Sequence, residues 1–313
     1  MAVKRIQNRI AEGRYSLPIV AIYALCIWYL GGLVGQKLYI QLAFLAVSTY
    51  LMVELNNSNA LIRIYSRMVS CSFLALTSMA TFLFPSLKIA LLQLCFITFY
   101  IILFHTYQDK QSPGLTFYAF LCLGVGSLAF VQVLFFLPFL WLVMMFYLMA
   151  FSHKNFWASI LGITLPYWLL APVAILSGNL DMFISHFSQI AQFQPLFQYQ
   201  QLNDHHVVTL LFVVVLAVIG TIHYLRRSYL DKIRNRMLYF SFMMVGALAL
   251  VFVILQPQHI EPLTCIIIIN TCPLIAHFIA LTHTRATNML FCLIIACILL
   301  LTAYNLWIPS LLF

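Results

Sequence analysis

The side chains able to do chemistry in this chain are few, and most of them collect in the links between long apolar runs. One link, residues 177–206, holds Asp181, His186, Asp204, His205 and His206, and a later one adds His259 and Glu261. Imidazole and carboxylate together can hold zinc or act as general acid and base, provided they converge in space. Their order fits no metal-binding spacing such as HExxH, so no metal and no cofactor are expected, and solvated histidines at a membrane edge are the plainer reading. If the chain is an enzyme, Asp181, Asp204 and Glu261 are its candidate catalytic carboxylates.

A second set is basic. Arg63 and Arg67 lie four apart, as two guanidiniums gripping one phosphate would; as positive charges at a membrane edge they serve equally to fix orientation. The segment Arg226 to Arg236 holds Arg226, Arg227, Lys232, Arg234 and Arg236 with a single acid, Asp231. It suits contact with anionic lipid head groups, yet topology alone accounts for it and no catalytic role follows. Inside the apolar runs, Gln93, Gln132 and Asn305 are expected to hydrogen-bond across helices, as is usual for amides in lipid, and Asn270 is expected to face the bundle interior. His277 can titrate near neutral pH, but a lone histidine there reads as structural. No carboxylate falls deep in any run, which counts against an ion-coupled pump.

The elements that position these residues must live in lipid. With 64% apolar and 7% charged residues, the chain has too little polar surface to cover a globule in water. We expect an all-α polytopic bundle forming one domain over residues 1–313, with about eleven spans. They fall at residues 17–36, 38–54, 68–84, 87–104, 115–136, 138–151, 155–176, 207–225, 237–255, 263–281 and 289–308. The eight cysteines all lie inside these runs and form no disulfide framework. The first run follows Lys4, Arg5, Arg9 and Arg14 and reads as an uncleaved helix, being too long for a secretory signal.

The run 115–151 is too long for one crossing, and Pro138 is expected to break it into a hairpin, since proline removes a backbone donor and disfavours helix just before it. Charge supports that division. With it, all but Lys37 and Lys88 of the sixteen Lys and Arg residues fall on one side, which places the amino terminus in the cytoplasm and Phe313 outside. The net charge of +9 is then an orientation signal and not a nucleic-acid footprint. Membrane lipids are the expected partners, and nucleic acid is not.

Local patterns add expectations. In the outer link 177–206, Phe183, Ile184, Phe187, Ile190 and Phe193 recur at helical spacing, as in an amphipathic helix lying in the interface, either a simple anchor or a lid over a cavity. Asn56, Asn57, Ser58 and Asn59 are placed to cap the helix that follows them. Gly31 and Gly35 form a small-xxx-small pair suited to close helix approach. Pro166 and Pro172 should kink their span, with Tyr167 and Trp168 either lining a pocket or packing.

The asparagine-rich link ending Leu61-Ile62-Arg63, the turn Leu83-Phe84-Pro85, the Leu137-Pro138 break and the run from Trp157 to Tyr167 together resemble an uncharacterised family of polytopic inner-membrane proteins of Bacteroidota, over roughly residues 17–176. The resemblance implies a bacterial inner membrane but no reaction. That family is in turn distantly similar to glycosyltransferases and polymerases that use polyprenyl-phosphate sugars, which usually carry an acidic residue in a sizeable first outer loop; here that loop is little more than Gln36 and Lys37. The expectation is therefore a non-catalytic component of an envelope-assembly or lipid-handling system, working with other envelope proteins. The alternatives are a polyprenyl-phosphate-linked glycan transferase with Asp181 or Asp204 as base, His186, His205, His206 and His259 beside it, and a transporter of lipid or small solutes.

Overall fold

The computed structural model of the chain describes residues 5–178, 180–193 and 203–311, so residues 194–202 of the outer link and the chain end at Phe313 lie outside the described residues. Every regular element among those described is helical. The α-helices are α1 (Ile6–Ala11), α2 (Ser16–Leu30), α3 (Tyr39–Asn59), α4 (Met68–Met79), α5 (Leu87–Phe104), α6 (Pro113–Ala129), α7 (Leu137–Phe146), α8 (His153–Leu176), α9 (Leu180–Ala191), α10 (Asp204–Arg227), α11 (Ile233–Leu255), α12 (Ile260–Leu281) and α13 (Arg285–Leu311).

Seven helical segments among the described residues are long and apolar enough to cross a membrane: Tyr39–Asn59, Leu87–Phe104, His153–Leu176, Asp204–Leu230, Ile233–Leu255, Pro257–Leu281 and Arg285–Trp307. Ser16–Leu30, Met68–Met79, Pro113–Ala129 and Val131–Phe146 are apolar helices of shorter length. They stand where four further spans were expected.

α12 is the centre of the bundle. The apolar window of this helix is wholly buried, whereas that of its neighbour α13 is mostly uncovered. α4, α5, α10 and α11 pack around α12, as expected for a helix apolar on every face. α6 packs closely on both α8 and α5. A Cβ on Gly162 would stand 2.5 Å from Phe117 O, so only glycine lets the α6 and α8 backbones approach this far.

Hydrogen bonds join the loops into two ends. At one end Arg63 donates to Leu230 O at 3.3 Å, Arg234 to Asn59 Oδ1 at 2.8 Å, and Asn235 to Ala60 O at 2.6 Å. Gln7 reaches Ile279 O at 2.7 Å, and Ser152 reaches Lys110 O at 2.8 Å. At the other end Gln132 donates to Gln189 O at 3.3 Å, Gln258 to Gln192 O at 3.4 Å, and Thr81 to Asn305 O at 3.2 Å. The first is the basic end; the second carries the histidines of the link 177–206.

Four local expectations are corrected. The break in the run 115–151 falls at Phe130, which is extended (φ −143°, ψ 95°), and a 3-10 helix Val131–Phe136 follows. Pro138 lies in the first turn of α7, where its missing N–H leaves no helical bond unmade. The asparagines do not cap α4: α3 runs on to Asn59 and stops at Ala60 in the left-handed region (φ 46°). Asn56 instead ties down the loop, donating to Ser66 O at 3.2 Å and accepting from Ile62 N at 3.3 Å. Arg63 and Arg67 therefore lie in a non-helical loop and share no helix face. Gly31 and Gly35 lie in the turn after α2, where Gly32 takes φ +93°, so they serve a chain reversal rather than a helix pair.

Candidate functional site

At the histidine end, only part of the expected cluster comes together. α10 and α12 begin beside one another, which brings His206 Nε2 to 3.9 Å from Glu261 Oε1, too far for a hydrogen bond. His205 lies edge-on to His206 with centroids 4.3 Å apart, and Phe82 covers His206 at 4.2 Å. His259, two residues before Glu261, packs on Phe130 and Phe252 and meets Gln258 Nε2 at 3.1 Å.

His186 sits apart on α9, against Tyr167 and Phe187. Burial holds its imidazole below the ordinary value, a bond with the Ser127 backbone opposes that, and the charge of Lys88 adds to the lowering. Asp181 and Asp204 are exposed. Among the described residues no three His, Cys, Asp or Glu side chains gather as metal ligands would. One carboxylate and one imidazole at 3.9 Å make an ion pair when the ring is protonated; they do not make an acid and base converging on one substrate.

α9 is amphipathic and docks as a cover. Phe183 and Phe187 pack on Tyr167 of α8, with centroids 6.5 and 4.9 Å away, and Phe193 packs on Phe135 at 5.7 Å. Ile184 stays exposed. Of the residues beside the prolines of α8, Tyr167 is buried and bonds Ser127 Oγ at 2.7 Å, whereas Trp168 points outward with 74% of its surface free.

Arg63 Nη1 donates to Leu230 O at 3.3 Å and Arg67 Nε to Tyr65 OH at 3.1 Å, so the two guanidiniums engage different partners.

A site that the sequence did not reveal lies at the basic end. Asp231 ends a 3-10 turn, Ser228–Leu230, between α10 and α11, and its carboxylate is turned inward. His277 Nε2 meets Asp231 Oδ2 at 3.0 Å, with the two side chains 1% and 2% exposed. A buried ionisable pair of this kind is favoured only when both members are present. Tyr224 and Tyr239 enclose it: they stack with centroids 4.2 Å apart and stand edge-on to His277 at 4.9 and 5.3 Å. Tyr224 OH, His277 Nδ1 and Arg236 Nε are buried and have no hydrogen-bond partner. In the sequence Asp231 is only the single acid of a basic run, and His277 a lone histidine. Each lacked a partner by sequence spacing, and that shared deficiency was the signal available.

About one turn from this cluster along α10, α11 and α12 lies a groove. α10 and α11 both lean on α12 and leave between them an apolar hollow of about 300 Å³, lined by Ala217 and Thr221 of α10, Met243 and Gly246 of α11, and Asn270 and Leu274 of α12. Asn270 forms part of the floor, and its polarity is already engaged: Oδ1 accepts from Tyr100 OH at 2.6 Å, and Nδ2 donates to Ile266 O at 2.8 Å. The hollow therefore offers hydrocarbon surface over a satisfied polar floor, which suits an alkyl chain better than a polar solute. Hollows of 350 and 280 Å³ flank α2 as well, and each is almost entirely apolar.

No family model matches the chain, and neither does any of the curated proteins or any solved structure.

Proposed function

We propose that the chain is a multi-pass inner-membrane protein of the bacterial envelope that handles lipid without catalysing a reaction, and that the groove between α10, α11 and α12 holds a lipid hydrocarbon chain. The observation that carries this is the groove itself: it reaches the central helix, its walls are apolar, and its one amide is satisfied from behind by Tyr100. In this reading the shorter apolar helices also cross the bilayer, the basic end lies in the cytoplasm, and the histidine end faces outward. The positive-inside rule supports that placement, since loops bearing Arg63, Lys110, Lys154, Arg227 and Arg285 belong to one side. A polyprenyl-linked transferase finds less support, because of its candidate carboxylates only Glu261 approaches a histidine.

Mass spectrometry of the protein released from gentle detergent tests the proposal. The wild type should retain a bound lipid, and Ala217→Trp, which fills the groove, should lose it. Ala21→Trp, in the hollow beside α2, should not. Equal retention by wild type and Ala217→Trp would exclude the groove as the site.

A further inference from the structure

The stripes that line the groove do not stop where its hollow stops. On α11 the spacing Leu250, Gly246, Met243 continues by four and three residues to Tyr239 and Arg236. On α12 it passes from Asn270 and Leu274 to His277, and on α10 from Ala217 and Thr221 to Tyr224. Residues three and four apart share a helix face, so the hydrocarbon groove runs onto a polar corner at the basic end. Two of the side chains there are donors without acceptors. Tyr224 is wholly buried and its hydroxyl is unpartnered; Arg236 is half-buried, and its Nε is enclosed without a partner. Both Asp231 and Arg236 stand close enough to Tyr224 for their charges to act on its hydroxyl. Asp231 meets His277 at 3.0 Å. The corner thus keeps a guanidinium Nε and a hydroxyl without acceptors about one turn beyond the groove, and buried donors left in that condition are costly unless an acceptor arrives.

We propose that Arg236 binds the phosphate of a membrane lipid whose hydrocarbon chain lies in the groove, with the Tyr224 hydroxyl as second donor once the arginine swings aside. This rests on the lipid-holding function proposed above and names the class of lipid. Guanidinium and phosphate form charge-assisted bonds stronger than neutral ones, and an anionic head group at the mouth satisfies the donors that the fold leaves open. His277 acts as a positioning residue, holding the Asp231 carboxylate at 3.0 Å.

The test uses the full chain in nanodiscs made of neutral diacylglycerol and phosphatidylcholine, into which phosphatidic acid is titrated, with bound lipid read by native mass spectrometry. The wild type should select phosphatidic acid over diacylglycerol of the same chains. Arg236→Gln should lose that preference by about tenfold or more while still retaining one groove lipid, and Arg236→Lys should recover part of it. Tyr224→Phe should lose a smaller share. Thermal midpoints of each variant separate lost binding from lost folding, and an Arg236→Gln protein that fails to fold is replaced by Arg236→Lys and Tyr224→Phe, which must then carry the loss. Unchanged preference in folded Arg236→Gln overturns the phosphate site while leaving the groove intact. No lipid lost from Ala217→Trp overturns the groove and with it this site. Inorganic phosphate alone giving the same stabilisation as phosphatidic acid overturns the lipid as the source of the phosphate.

Discussion

Asp231 and His277 are 46 residues apart and meet at 3.0 Å inside a nearly unexposed pocket. Removing either member leaves the other buried and unpaired, at a cost of about 3–5 kcal/mol, whereas replacing both with apolar groups costs much less. We therefore expect Asp231→Leu and His277→Leu each to lower the thermal midpoint in detergent sharply, and the double variant to recover much of the loss; midpoint losses that simply add would disprove the coupling. Tyr100→Phe takes the donor from Asn270 Oδ1 and should destabilise by about 1–3 kcal/mol in the same assay. Sequence inspection found Asn270 and His277 but neither of their partners. Their types were informative because polar groups in lipid are rare; their contacts came from packing between distant helices, for which spacing carries no signal. Asp231 was hidden among its basic neighbours, where it counted only as the one acid of the segment.

Each expected apolar run contains a helix, because helices satisfy their own backbone groups wherever water is scarce. Where runs divide was harder to read. Pro138 drew attention to itself, yet the break falls at Phe130, after the glycine-containing end of α6 and before Val131 and Val133, residues of lower helix preference. The Gly31 and Gly35 pair fitted a packing motif and proved to be a turn, while close approaches that do need glycine are at Gly162 and Gly124, between α6 and α8, and at Gly220, where α10 meets α12. Gly162→Ala should force α6 and α8 apart and cost about 1–3 kcal/mol, seen as a lower thermal midpoint. α9 offers a pH test. Burial lowers the His186 imidazole from its ordinary 6.5, so the undocked helix binds the proton more readily than the docked one. The contribution of His186 to docking is then complete above about 6.5 and falls as pH drops from there toward the lowered value. Protection factors in α9, with the base-catalysed intrinsic exchange divided out, should be lower at about pH 5.5 than at about pH 7.5, and His186→Gln should flatten the difference; equal protection in the wild type would count against it.

For the whole molecule, the loop bearing Arg63 is bonded to Leu230 and to Arg234, and Arg234 also donates to Phe104 O at the end of α5 that leads to Lys110, so these loops share one end. Which side of the bilayer that end faces is a matter for reporter fusions. Fluorescent protein inserted after Lys110 or Lys154 should glow, and periplasmic phosphatase inserted after Pro85 or Gln258 should be active; the reverse pattern would invert the orientation. The central position of α12 was not legible, since its mean hydropathy lies within the range of the other spans and lipid rewards apolar surface as well as a protein core does. Chain growth gives that position a further meaning. Because synthesis proceeds from the amino terminus, α4 and α5 leave the ribosome long before α12, which packs on both, exists. Their α12-facing surfaces must wait among lipids, and the N-terminal half remains an unkeyed arch until residues 260–281 drop into place. Assembly is thereby made to depend on completion of the chain, and a product cut short before α12 is presented to membrane proteases with its keystone missing.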